Sequence, residues 1–439
     1  MPMPPTAHRW PKRVLLSLLV LGLLLLALAG RLQLATGAAL GGYDKSQPAP
    51  RPDFNLDSLY NNRYQPALEH YVDTRIGFRS WLVRLRNQFS YSVLGVARAK
   101  GVVVGQDRVL FENHGIEAYL GEDFMGEAQV RHHVRRFKAV QDTLAKRGKL
   151  LVFVTTPSKA SFMPEYLPAY YQQPHRLANY TALTAAMRKS GANLLDTSAL
   201  FRQWKDSSRY RLFARGGIHW SVYGAALASD TLMGYLRQHY PYPLQRFRIS
   251  RVETSNEAQA NDDDIVQAMN LLWRPRAWRM AYPTVEALPP LPQQRCPNLL
   301  LIGDSFCWML MYPYVNESFS GNWRFWYYNS EVSWPENRPE GTELWKPDHK
   351  QQYLARDIIV VMFTEYNLSD LDSNFSDEAY NLFTPYSPAD SAAVRRLEAQ
   401  LSQRQDLKDE LWKQSVKTGK SEAQLIRERA EVAFDAIRD

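Results

Sequence analysis

Only two cysteines occur among the 439 residues, Cys296 and Cys307. They flank an apolar run that reads as one extended strand. At ~3.3 Å per residue its ends lie about 20 Å apart, and a disulfide needs Cα atoms within about 7 Å. No bridge between them is expected. Metal-ligand spacing is lacking too: no histidine pair stands at i, i+4 as a helical metal site requires, and no cysteine cluster supports zinc. Neither a metal nor a cofactor is expected. Zinc-finger spacing, a basic region with heptads and an RNP-like aromatic motif are all missing, so the net charge of +8 does not point to nucleic acid. An acidic polysaccharide or an anionic membrane surface suits that charge. No internal repeat appears.

What is present is the mix of a globular protein, 45% hydrophobic and 22% charged, with length enough for about two or three domains. Aromatic residues reach 12%, which suits a large core and also a carbohydrate-facing cleft. Val14 to Gly30 is free of charge and rich in Leu and Val, at the short end for a spanning helix. Arg9, Lys12 and Arg13 precede it, which places the N-terminus in the cytoplasm and the main body outside. Ala27-Leu28-Ala29 is similar to a signal-peptidase site, but apolar character continues to Leu40, so an uncleaved signal anchor is favoured.

Residues 1–40 thus read as a cytoplasmic stub and anchor. Residues 41–100 read as a linker (Gly41 to Asp53) and a helical lead-in with apolar residues at helical spacing (Phe54 to Val96). Residues 101–387 read as the main domain. It opens on a hairpin, Val102–Val104 and Val109–Phe111 with Gln106-Asp107 in its turn. Helices at Val130–Lys146, Tyr180–Ser190 and Tyr223–His239 then alternate with strands at Leu150–Val154, Ala192–Leu195, Leu299–Ile302 and Ile358–Phe363. Such alternation implies an α/β domain, and strands without polar alternation imply a parallel sheet covered on both faces. Residues 245–295 interrupt the pattern as an insertion. Gly321 to Lys350, rich in Trp, Tyr and Pro, is expected to wall a cleft. Residues 388–439 read as a charged helical tail.

Within this frame Leu299-Leu300-Leu301-Ile302-Gly303-Asp304-Ser305-Phe306 is the most informative stretch. A buried strand ends in a tight turn, and Cys307–Tyr314 reads as the helix after it. Ser305 then lies at the C-terminal edge of a sheet, where α/β proteins place their sites, and near a helix N-terminus that favours developing negative charge. It is a candidate nucleophile. Its candidate base is His219, in Gly216-Gly217-Ile218-His219-Trp220-Ser221, a loop made permissive by two glycines.

Gly303-Asp304-Ser305-Phe306 together with His219-Trp220 resembles the SGNH-fold acyltransferase-like proteins of the alginate O-acetylation (DHHW) group. Asp73-Thr74-Arg75-Ile76-Gly77-Phe78-Arg79, the hairpin Val103 to Phe111, Thr156-Pro157-Ser158-Lys159 and Pro164-Glu165-Tyr166-Leu167-Pro168 resemble further elements of that group, in its order. The resemblance implies an SGNH-hydrolase-like three-layer α/β/α domain with a parallel sheet. It implies an exported, membrane-anchored O-acetyltransferase that works on a cell-envelope or extracellular polysaccharide through a serine acyl-enzyme, beside a membrane-bound O-acyltransferase. Ser305 would attack, His219 would act as base and then acid, and the Ser305 backbone N–H would help hold the oxyanion. An acetylesterase and a non-catalytic polysaccharide-binding or assembly protein are the alternatives.

One position departs from the group. Its usual carboxylate, two residues before the histidine, is Gly217 here. A dyad, an inactive site or a substitute carboxylate follows, and Glu365, after the strand Ile358–Phe363, is the favoured substitute. Asp304 is read as bracing the turn. Tyr328, Asn329 and Asn367 are candidate oxyanion donors or sugar contacts. Lys159 is a candidate for holding site or substrate. Trp220 joins this set, though its first expected task is to pack the histidine loop.

Overall fold

The computed structural model describes residues 9–32, 38–42, 49–173, 175–310, 314–334 and 348–438. Parts of the expected linker, of the helix after Ser305 and of the aromatic segment Gly321 to Lys350 lie outside the described residues. The chain divides into two compact units. One comprises residues 1–110 with two short segments, 215–217 and 263–277; the other takes the remainder.

In the first unit an apolar helix, Arg9–Arg31, is followed by helices Leu56–Tyr60, Tyr64–Asp73 and Arg79–Phe89. The apolar helix is long and apolar enough to cross a membrane. The expected hairpin forms from β1 (Val102–Val104) and β2 (Leu110–Glu112), joined through a 3₁₀ turn at Gln106–Arg108.

The second unit is built on β3 (Leu150–Thr156), β4 (Leu194–Asp196), β7 (Leu299–Gly303), β8 (Arg324–Tyr327), β9 (Glu331–Trp334) and β10 (Ile358–Thr364). Their order across the sheet is β4-β3-β10-β7-β8-β9. The first five run parallel, and β9 returns antiparallel beside β8. The sheet is therefore mixed rather than wholly parallel. A short turn joins β8 to β9, and a connection that short permits only an antiparallel return.

Alternation along the central strands explains the layers. Leu300 and Ile302, with Ile359 and Val361, face a core shared with helices Glu127–Ala145, Asn179–Ser190 and Phe375–Phe383. Leu299, Leu301 and Val360 face the opposite way, toward Leu232 and Leu236 of helix Val222–His239. Each such side chain contributes about 1.5–3 kcal/mol by leaving water. Helices on both faces make the three-layer α/β/α arrangement that the sequence implies. The interruption at 245–295 carries a two-stranded antiparallel sheet, β5 (Phe247–Ser255) and β6 (Met280–Ala287). The two cysteines are both free thiols, Cys296 exposed and Cys307 buried, as the extended strand between them requires.

The charged tail forms helices Pro388–Ser402, Lys408–Thr418 and Glu422–Arg438. The last is clasped through Arg136, whose fully buried guanidinium meets Asp377 at 3.0 Å, Glu431 at 3.1 Å and Asp435 at 3.2 Å. His132 lies 3.1 Å from Asp435 and 3.6 Å from Asp377. Burial pulls His133 down to about 4. Burial also opposes the charge on His132, but Asp377 and Asp435 hold it above its ordinary value. Both carboxylates stay below their usual range, because these cations offset their burial. His132, His133 and Asp377 have ligand atoms within 4.8 Å of one another; the Arg136 guanidinium, bonded to the same carboxylate, is the cation that the cluster holds.

Candidate active site

β7, β10 and β3 end side by side, with Met362 opposite Gly303 and Thr364 opposite Thr156. The segments that follow them, at Ser305, Glu365 and Ser158, therefore emerge at one sheet edge. Gly303 is required there: an added Cβ would meet the Met362 carbonyl oxygen at 2.2 Å and Cys307 Sγ at 2.5 Å. Without that close approach β7 could not deliver the turn.

Asp304 holds the turn. Its carboxylate is fully buried and accepts from Phe306 N at 3.0 Å, Thr364 N at 2.7 Å and Asn367 Nδ2 at 2.8 Å. Three donors, two of them backbone amides, compensate the burial of one charge. Ser305 then opens a 3₁₀ helix, Ser305–Leu310. The expected α-helix does not begin there, so the help foreseen from an α-helical dipole reduces to local N–H groups.

His219 comes from the segment before helix Val222–His239. Ser221 caps that helix: its hydroxyl accepts from Gly224 N at 3.0 Å and donates to the Arg211 carbonyl at 2.8 Å. Ser221 N donates to the Leu212 carbonyl, and Phe213 bridges Trp220. The imidazole leans on Phe306, ring centroids 4.9 Å apart. Between these supports His219 Nε2 lies 2.8 Å from Ser305 Oγ. With Nδ1 protonated, Nε2 presents its lone pair to the serine O–H. A hydroxyl and an imidazole that are 86 residues apart in the chain thus meet at hydrogen-bond distance.

The remaining expectations fare differently. Glu365 is buried at the same sheet edge, but its oxygens accept from Arg202 Nη1 at 3.0 Å and from Ser158 Oγ at 3.4 Å. Its part as the carboxylate that orients His219 is corrected: the guanidinium, a stronger and permanent partner, takes it. Arg202 is raised in turn, burial opposing its charge and Glu365 more than offsetting that. Asn367 spends its amide on Asp304 and on Tyr328 Oη at 3.2 Å, so it braces the turn and is not an oxyanion donor. Asn329 sits in a left-handed conformation in the β8–β9 turn, with its amide on the Ser373 carbonyl and Glu378. It belongs to the packing of helix Phe375–Phe383 and is not with Ser305. Tyr328 donates its N–H to the Gly303 carbonyl at 2.8 Å, and its hydroxyl lies against Asn367; burial, then Asp304, pushes it up. Trp220 is buried against Phe201 and Phe306. It packs the histidine segment and has no face for substrate. Lys159 is also buried, its ammonium 5.6 Å from the Phe111 ring centroid.

Asp304 braces the turn as its sequence position suggests, whereas Arg202 carried no local sequence signal. Arg202 reads as one more arginine of a short amphipathic helix, Thr197–Trp204, until the fold brings Glu365 to it.

Residues 102–316 match the family model of the SGNH hydrolase-like domain, acetyltransferase AlgX. The chain is 28% identical over 259 residues to the probable alginate O-acetylase AlgJ of Pseudomonas aeruginosa, covering 56% of this chain. It spans 62% of that relative's length. Among solved structures, the O-acetyltransferase domain of Pseudomonas putida AlgJ is 21% identical, with 64% of this chain and 99% of that one covered and a TM-score of 0.40. Bacillus cereus PatB1, with a sulfonyl adduct, is 12% identical, with 61% and 97% covered and a TM-score of 0.41.

Proposed function

We propose that this chain, whose residues 102–316 carry an SGNH hydrolase-like domain of the AlgX acetyltransferase kind, is a membrane-anchored enzyme that moves an acetyl group onto an exported or cell-envelope polysaccharide. The observation that supports it above all is His219 Nε2 at 2.8 Å from Ser305 Oγ. The relative named as a probable alginate O-acetylase supports the substrate class, and the apolar helix Arg9–Arg31 supports the anchor, with the N-terminus cytoplasmic and the main body on the far side. A membrane-bound O-acyltransferase is the partner that would bring acetyl groups across.

The reaction divides into two balanced steps. Ser305 Oγ attacks the acetyl carbonyl carbon of the donor while His219 Nε2 takes the hydroxyl proton. The tetrahedral intermediate collapses, the bond to the leaving group breaks, and His219 returns the proton to that group. A sugar hydroxyl then attacks the acetyl-serine, losing its proton to His219, and Ser305 leaves as the protonated alcohol. The Ser305 backbone N–H would help hold the negative oxygen. Phe306, Trp220 and the Ser221 cap position the imidazole. Asp304 positions the serine.

The test is turnover of an acetyl donor with and without an oligosaccharide acceptor. Acetylated oligosaccharide supports transfer. Acetate released at the same rate whether or not the acceptor is present makes the protein an esterase. No turnover of any donor leaves a polysaccharide-binding protein.

A further inference from the structure

Helix Arg79–Phe89 has its polarity inverted. Its polar residues Asn87 and Gln88 are buried, only 2% and 4% exposed, and Asn87 donates to the Met269 carbonyl at 2.8 Å. Its large apolar residues face out: Trp81 is 54% exposed, Leu85 57% and Phe89 56%, with Leu82 beside them. At 100° per residue these four fall within about a third of the helix circumference. Arg84 and Arg86 flank that stripe, and the helix contains no acidic residue. Val93 and Leu94, in the π turn that follows, extend the exposed apolar surface. A helix of a water-soluble surface buries the apolar stripe and exposes the polar one. This one exposes Trp81, Leu85 and Phe89 while it buries Asn87 and Gln88 beside Val83.

The same unit places this helix beside the apolar helix Arg9–Arg31. Gly77, two residues before the helix, donates its N–H to the Leu26 carbonyl at 3.0 Å. A Cβ at Gly77 would lie 2.5 Å from Ala29 Cβ and 2.7 Å from Gly30 N, and one at Gly30 would lie 2.1 Å from the Arg75 carbonyl oxygen. Two glycines thus bring the start of helix Arg79–Phe89 against the final turns of the apolar helix Arg9–Arg31. At 1.5 Å per residue, positions 26–30 lie about 2–8 Å short of Arg31. Interfacial helices bury their apolar face about 5–10 Å into the boundary of headgroups and acyl chains. Trp, Leu and Phe with flanking arginines are the side chains such helices use.

We propose that Trp81, Leu82, Leu85 and Phe89, continued by Val93 and Leu94, form a lipid-docking face that seats the first unit on the outer leaflet beside its own anchor. The occupant is the bilayer surface, with the arginines meeting phosphate headgroups. The proposal rests on the reading of Arg9–Arg31 as a membrane anchor. The face would fix the lead-in at the membrane, where a donor handed across the bilayer emerges.

The test is nitroxide labelling of the full chain in vesicles of phosphatidylethanolamine and phosphatidylglycerol, in a Cys296→Ser background. Labels go at Leu85→Cys or Phe89→Cys, at Leu21→Cys in the apolar helix and at Lys146→Cys, an exposed position of the second unit. Relaxation by oxygen is compared with relaxation by a water-soluble nickel chelate. The labels at 85 and 89 are expected to be reached by oxygen and shielded from nickel, and the label at 146 the reverse. Nickel access at 85 and 89 equal to that at 146, with the label at 21 shielded, overturns the docking face alone. Nickel access at 21 as well overturns the anchor beneath it. Spin–spin broadening at 85 in place of oxygen access assigns the face to a second copy and likewise overturns the proposal. Two labelled positions guard against one substitution disturbing the fold.

Discussion

In the proposed mechanism Ser305 and His219 carry different parts of one step, so their losses are expected to differ in size. Ser305→Ala removes the atom that takes the acetyl group, and acetyl turnover is expected to fall at least about a thousandfold. His219→Ala leaves the hydroxyl without a base and is expected to lower turnover about a hundredfold or more. Circular dichroism should show both folds intact, because both side chains sit beyond the end of the sheet. Glu365→Gln gives a contrasting outcome. The variant loses the charge that faces Arg202, so a lower melting temperature is expected, with turnover and its pH profile close to those of the parent protein. A pH profile displaced by this change would restore Glu365 to the imidazole. Asp304→Asn puts an amide where three donors converge and is expected to cost about 3 kcal/mol of stability, read by denaturant unfolding. At this scale the sequence made Ser305 and His219 legible, since each stands where an apolar run or a glycine pair breaks off. The partner of Glu365 was not legible: Arg202 lies 163 residues away, and no spacing rule connects them.

Elements were easier to read than the contacts between them. Helix Val222–His239 and strands β3, β7 and β10 appear within a few residues of their apolar patterns, because burial on both faces imposes continuous apolar runs. The 3₁₀ helix at Ser305–Leu310 escaped, since an apolar segment that short suits several helical forms. Ser221→Ala removes the cap that sets the angle of the histidine segment. A stability loss of about 1 kcal/mol is expected, together with a fall in kcat larger than the change in KM. The C-terminal helix Glu422–Arg438 depends on charge. Asp377 and Asp435, held below the usual carboxylate range, contribute stability that is complete above 3.8 and drains as pH falls through their folded values. His133, lowered from 6.5 to about 4, works in the same direction, since the unfolded imidazole takes a proton first between those two values. His132 opposes them, its contribution being present below 6.5 and lost as pH rises through its higher folded value. Between neutral pH and 4 only His133 weakens the contact, and His132 opposes it. Below 3.8 the losses of Asp377 and Asp435 are added, so acidification through that lower range is expected to release this helix before the sheet. Hydrogen exchange along residues 422–438 measures that.

For the molecule as a whole, the apolar helix Arg9–Arg31 and the proposed pair of Ser305 and His219 set the expected behaviour. The full chain should stay with membranes through carbonate extraction and be released by detergent, whereas a chain beginning at Ala49 should lose that integral anchoring. The charge-free run from Val14 to Gly30 made the helix legible. Its contact with Gly77 was not, because two glycines meeting across 47 positions leave no periodic trace. The central claim, that Ser305 is a nucleophile drawn on by His219, is tested most directly by peptide mass spectrometry after brief exposure of the native full chain to a sulfonyl fluoride. One adduct is expected, on Ser305, absent in Ser305→Ala and much slower to form in His219→Ala. A native protein that remains unmodified, or one labelled at an equal rate when His219 is replaced, would contradict it.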